Sequence, residues 1–177
     1  EAQETFDKYI TDQILLNAKG EVSEKDLSPF DVDVLKESRS LPDSERNYPL
    51  FVCSLDNGEK NYIIPLVGKG LWGPVWGYIA LAEDMNTITG ARFDHKGETP
   101  GLGAEITMSW FEEPFVGKKI FDEDGTFTSV KVIKGGAKPD NMHGVDAISG
   151  GTITSNGVSN MLYDILEVYV PYFKANS

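Results

Sequence analysis

Pro49-Leu50-Phe51-Val52-Cys53-Ser54-Leu55-Asp56-Asn57-Gly58-Glu59-Lys60-Asn61-Tyr62-Ile63-Ile64-Pro65-Leu66-Val67 is the stretch that decides the fold. Two runs rich in β-branched and aromatic residues, 49–55 and 60–67, flank Asp56-Asn57-Gly58-Glu59. Asn-Gly between such runs signals a hairpin, because both central residues tolerate positive φ. Toward the C-terminus, residues 75–82 and 88–93 read as two more strands, joined by Glu83-Asp84-Met85-Asn86. Consecutive strands with short turns pair antiparallel. Residues 101–111 look like a short helix, and residues 129–133 like a strand ended by Gly135-Gly136. Val158, Met161, Leu162, Ile165, Leu166 and Tyr169 recur at helical spacing, with Ser155 or Asn156 as the cap and Pro171 bending or ending the helix. Toward the N-terminus, Phe6, Tyr9, Ile10, Gln13 and Ile14, with Leu15 and Leu16 beside them, predict a helix to about Ala18, stopped by Gly20. Ser28-Pro29-Phe30-Asp31 opens a second helical segment near Val34 and Leu35. The expected class is α+β, a mostly antiparallel, twisted sheet with packed helices.

At 177 residues the chain reads as a single soluble domain without repeats or a dividing linker. A chain of this size buries roughly 70% of its unfolded surface, so its core needs no metal or disulfide. The net charge of −12 disfavours nucleic acid and anionic membrane faces as partners. The lone Cys53 rules out an intrachain disulfide and a multi-cysteine zinc site, and reads as a small buried hydrophobe. His95 and His143 are too few for a multi-histidine metal centre and have no recognisable nucleophile beside them, so both read as structural. The acidic run Asp122-Glu123-Asp124 reads as a solvated turn. No apolar run approaches the ~20 residues of a membrane span.

Three segments carry more chemistry. Gly68-Lys69-Gly70-Leu71-Trp72-Gly73 has the letters of a dinucleotide fingerprint, but Pro74 and a strand follow where that fingerprint needs a helix. Trp72 and Trp76 stand either as an aromatic wall beside a flat ligand or as core residues of a strand. His95-Lys96-Gly97-Glu98-Thr99-Pro100-Gly101-Leu102-Gly103 is a Gly-rich turn entering a helix, where backbone can approach a ligand closely. An ordinary strand-to-helix connection has the same composition. Asp146-Ala147-Ile148-Ser149-Gly150-Gly151-Thr152-Ile153-Thr154-Ser155 places four hydroxyl residues and two glycines before the strongest helix. That is either an anion cradle, built on free N–H groups and the helix dipole, or a capping loop of small residues. Lys134 and Lys138 lie upstream as possible sources of charge.

Together these segments resemble the FMN-binding domain family over about residues 65–165. Residues 149–158 resemble its flavinylation motif, and residues 95–103 its HxETPGLG loop. Gly70-Leu71-Trp72-Gly73-Pro74 with Trp76-Gly77-Tyr78-Ile79-Ala80-Leu81 looks like the version found in the C subunit of Na+-translocating NADH:quinone oxidoreductases. The related G subunit of Rnf-type electron-transport complexes is the alternative within the family, and a non-redox anion- or nucleotide-binding module the alternative outside it. The resemblance implies FMN joined by a phosphoester to the hydroxyl of Thr152, with Thr154 as the neighbouring hydroxyl. It implies a cofactor site of Trp72, Glu98, Thr99, Gly101, Leu102, Gly103, Lys134, Ser149, Gly150, Gly151, Ile153 and Thr154. Backbone donors over residues 99–103 would face the pyrimidine edge of the ring. An ApbE-type flavin transferase using FAD and Mg²⁺ would recognise the segment from Asp146. Gly151 stands where the family's motif has Ala. The resemblance further implies electron transfer beside other subunits of a bacterial inner-membrane complex that couples NADH oxidation by quinone to sodium pumping. The soluble domain would lie on the periplasmic side, with a membrane anchor expected upstream of Glu1.

Overall fold

A computed structural model describes residues 2–177. Its centre is a five-stranded antiparallel meander in the order β1-β2-β3-β4-β5. The strands are β1 Ile10–Leu16, β2 Tyr48–Ser54, β3 Lys60–Lys69, β4 Pro74–Leu81 and β5 Ile88–His95. The predicted hairpin is β2–β3, with Phe51 opposite Ile63 and Ser54 opposite Lys60. Its turn is simpler than the sequence suggests. Gly58 alone takes positive φ there, at +84°, and its N–H donates to the Leu55 carbonyl at 2.9 Å. The Asn57 side chain instead accepts the Glu59 N–H at 3.0 Å.

Alternation along β4 buries Val75, Ile79 and Leu81 toward one face, where they join Ile64 and Leu66 of β3. The covering element is α4, Thr152–Asn176, which packs across β3. Its buried stripe of Val158, Met161, Leu162, Ile165, Leu166 and Tyr169 is the predicted one, extended by Phe173. At about 25 cal/mol per Å² of apolar surface, this stripe is a main source of stability. Tyr169 is fully buried and donates its hydroxyl to the Pro49 carbonyl at 2.7 Å, tying α4 to β2. Helix α4 runs on through Pro171 rather than ending there.

Three expectations are corrected. The predicted N-terminal helix to Ala18 is α1, Ala2–Tyr9, followed by strand β1. Ile14 continues the helical spacing from Ile10, but Ile10, Ile14 and Leu16 also fit the two-residue period of a strand. Pairing with β2 (Ile14 opposite Leu50, Leu16 opposite Tyr48) turns both toward the core and decides the outcome. The Phe6 side chain, part of the predicted stripe, lies outside the described residues. Second, α4 starts at Thr152 rather than at a Ser155 or Asn156 cap. Gly151 is the N-cap, and no side chain caps it. Third, the helix expected over 101–111 breaks into a 3-10 turn, Gly103–Thr107, and a short α3, Ser109–Glu112, because Met108 between them is extended.

The second helical segment is α2, Val34–Ser40, capped by Asp33, whose carboxylate accepts the Lys36 N–H. The strand expected over 129–133 is β6, Lys131–Ile133. It pairs in parallel with β7, Gly144–Asp146, a strand absent from the sequence reading. Three residues of β7 carry too little alternation to show, yet this strand delivers the chain to the start of α4.

Candidate functional site

The turn after β3, the loop after β5 and the N-terminus of α4 meet around one cleft of about 260 Å³. It is lined by Leu71 and Trp72 from the turn, Thr99, Leu102 and Gly103 from the loop, and residues 150–154 from the helix start. Exposed apolar side chains rim it: Trp72 is 69% exposed and Ile153 60%. None of the lining residues carries a charge.

Glycine permits the close approach. A Cβ at Gly150 would stand 2.8 Å from Leu102 Cδ2, and one at Gly151 2.9 Å from Ile148 Cγ2 and 3.1 Å from the Leu102 carbonyl carbon. A Cβ at Gly157, one turn into α4, would strike the Lys69 carbonyl oxygen at the end of β3. The helix start and the turn therefore touch backbone to backbone.

The two threonines of the helix start differ sharply. Thr154 is 2% exposed and donates its hydroxyl to Glu98 Oε1 at 2.5 Å. Thr152 is half-buried at the cleft, and no described residue bonds its hydroxyl. The N–H groups of residues 152–154 precede the first helical bond, from the Ser155 N–H to the Gly151 carbonyl, and so remain available to an anion. Ser155 fixes the loop itself. Its hydroxyl accepts the Ile148 N–H at 3.1 Å and donates to the Gly151 carbonyl at 2.8 Å.

Glu98 sits beneath the cleft, 3% exposed. Its carboxylate accepts the Leu71 N–H at 2.7 Å and the Trp72 N–H at 2.8 Å, as well as the Thr154 hydroxyl. Burial pushes its pKa up. Bonds from Thr154, Trp72 and Leu71, with the nearby His95, outweigh that and hold it below the ordinary glutamate value. His95 Nδ1 accepts the Glu98 N–H at 3.0 Å, so this histidine supports the loop.

The cleft thus gathers Trp72, Thr99, Leu102, Gly103, Gly150, Gly151, Thr152, Ile153 and Thr154 of the predicted set, and adds Leu71. Leu71 was legible only as a neighbour of Trp72. Glu98, Gly101, Ser149, Lys134 and Asp146 are not among its lining residues. Gly101 and Ser149 are exposed loop positions. Lys134 is exposed in the turn after β6, and Asp146 Oδ1 accepts the Ala137 N–H at 2.7 Å, closing that turn against β7. Trp76 parts company with Trp72 and borders a separate hollow with Phe51, Pro65 and Tyr78.

The profile of the FMN-binding domain family matches residues 70–167, which hold all three segments of the cleft. The chain belongs to that family. The C subunit of the Na(+)-translocating NADH-quinone reductase from Pseudomonas aeruginosa is 32% identical, over 92% of this chain and 69% of the relative. The corresponding protein from Vibrio vulnificus is 43% identical over 62% of this chain, which spans 43% of that relative's length. The crystal structure of the Parabacteroides distasonis counterpart superposes with a TM-score of 0.84 at 46% identity, covering 98% of this chain and 82% of that one. The FMN-binding fold is therefore an α+β sheet with α4 packed across it. No helix among the described residues is long and apolar enough to cross a membrane.

Proposed function

We propose that this chain is the flavin-carrying part of an electron-transfer subunit, with FMN joined by a phosphoester to Thr152. The observation that carries this reading is the contrast between the two threonines. Thr154 is buried with its proton committed to Glu98, whereas Thr152 offers a hydroxyl that no described residue bonds, at a helix N-terminus beside an aromatic wall.

The residues suit the group. Glycines at 103, 150 and 151 let the loop and the helix start close on one another around the cleft, since a Cβ at each would press on Thr154, Leu102 or Ile148. A phosphodiester keeps one negative charge. Free N–H groups at residues 152–154 and the helix dipole answer that charge without a cation in the cleft. Trp72, Leu71 and Leu102 offer apolar surface to a flat ring, and Thr99 and Gly103 of the loop bring backbone N–H groups to the cleft, the Leu102 N–H being spent on the Thr99 carbonyl. When bound, FMN supplies reversible electron transfer, while the chain holds it, shields part of it and sets its electrostatic surroundings. A covalent tether removes dissociation as a route of loss.

The relatives named above supply the wider reading. The chain would work beside other subunits of a membrane Na+-translocating NADH:quinone oxidoreductase, on the periplasmic side. A flavin transferase of the ApbE type would attach the FMN, reading the segment from Asp146 to Thr152.

The test is Thr152→Ala, co-expressed with such a transferase. The variant should keep the wild-type circular dichroism and melting curve, yet give no in-gel flavin fluorescence after denaturation. A fluorescent band in Thr152→Ala would reject the attachment site.

A further inference from the structure

Glu98 joins two parts of the cleft that are far apart in sequence. One oxygen and then the other receive the successive amides of Leu71 and Trp72, and Oε1 also receives the hydroxyl of Thr154. The chain makes room for this group at two further places. A Cβ at Gly70 would collide with the Glu98 carboxylate, and one at Gly103 would collide with Thr154 Oγ1 and approach Glu98 Cβ at 3.3 Å. The group therefore sits at the centre of a three-way junction, hidden from any ligand in the cleft above it.

The chemistry of the junction demands a carboxylate. All three partners are donors, so the centre must be acceptor-only. Glutamine has one acceptor oxygen, and its amide nitrogen would face an N–H. The charge also makes each bond stronger than a neutral one.

We propose that Glu98 is a positioning residue that sets the spacing between the Leu71–Trp72 wall and the first turn of α4. That spacing fixes the surroundings of a flat ligand tethered at Thr152, two residues before Thr154. The inference rests on the flavin reading above, and it assigns Glu98 no contact with the flavin.

Two variants test it. Thr154→Val keeps the shape of a buried side chain and removes only the link from Glu98 to the helix. Glu98→Gln disturbs the whole junction. In the flavin-free proteins, amide exchange followed by NMR should be about tenfold faster at Leu71 and Trp72 in both variants, while the core amides of β3 and β4 stay protected. In protein co-expressed with the transferase, the flavin on the loaded fraction is read directly. The visible circular dichroism and the midpoint potential of the flavin should both shift, in Thr154→Val as well as in Glu98→Gln. If Glu98→Gln does not fold, Thr154→Val decides alone. Unchanged exchange and spectra in Thr154→Val would overturn the proposal, because Glu98 would then be a local staple of the turn. Wild-type chain that takes up no flavin would refute the flavin reading and the tethered-ligand half of this inference. The exchange experiment would still judge the junction.

Discussion

Gly157→Ala separates the structural account from simple helix propensity. Gly157 lies six residues into α4, where Ala is ordinarily better than Gly by about 0.5–1 kcal/mol. Propensity alone therefore predicts a more stable protein. The structure predicts the opposite, since the new methyl would strike the Lys69 carbonyl oxygen, and Gly70 Cα lies 3.5 Å away. Both are backbone atoms at the end of a paired strand and cannot rotate aside. Overpacking of this kind costs about 1–3 kcal/mol. Less the propensity gain, the net loss is up to about 2.5 kcal/mol, or a melting midpoint lower by up to about 10 °C for a chain of this length. The displacement falls on the residues that lead into Leu71 and Trp72, so Trp72 emission should change as well. Gly97→Ala is the control. Its added methyl meets nothing within 4 Å, and its φ is not positive. That variant should melt within about 1 kcal/mol of wild type. Thermal melts and tryptophan emission of the three proteins suffice. A Gly157→Ala protein that melts higher than wild type would refute the backbone-contact argument.

Tyr169→Phe removes the buried bond to the Pro49 carbonyl and should cost about 1–3 kcal/mol in denaturant titration, with m unchanged. Burial raises the Tyr169 pKa well above the ordinary phenol value, and Tyr48 adds to it. Its contribution is whole below that ordinary value and drains as pH climbs toward the raised one. Wild type should accordingly lose its advantage over Tyr169→Phe in alkali. Glu98 has the reverse sign. Its native pKa is depressed, so its contribution is present above the ordinary glutamate value and is lost as pH falls through the native one. Melts of wild type and Glu98→Gln should converge in acid; a constant gap across pH would contradict the ionised junction. Gly151→Ala adds a methyl 2.9 Å from Ile148 Cγ2 at a φ of −121°, which Ala adopts freely. It should cost about 1 kcal/mol by crowding, with flavin loading at Thr152 retained, as mass spectrometry of the intact protein would report.

Much of this was legible in the letters. The hairpin, β4, β5 and the buried stripe of α4 follow from local periodicity. The three chemical segments converge on one cleft, as their resemblance to a single family implies. What escaped depends on partners distant in sequence. Ile10–Leu16 is a strand because β2 is there to pair with it. The β6–β7 pair is three residues long on each side and parallel, below the reach of any alternation pattern. The difference between Thr152 and Thr154 arises from a carboxylate more than fifty residues upstream. Glu98 is singled out in the sequence only by the resemblance, as a cofactor residue, and its place beneath the cleft emerges only with its three donors.

The bonds that Ser155 makes to Ile148 and Gly151 mean that the Thr152 hydroxyl, the attachment point proposed above, is presented on a finished corner, not on slack peptide. On that proposal, an enzyme that modifies Thr152 must either reach into the folded cleft or catch the chain before the last helix winds. A pulse of labelled chain, chased before and after folding, would show on which side of that event the modification falls.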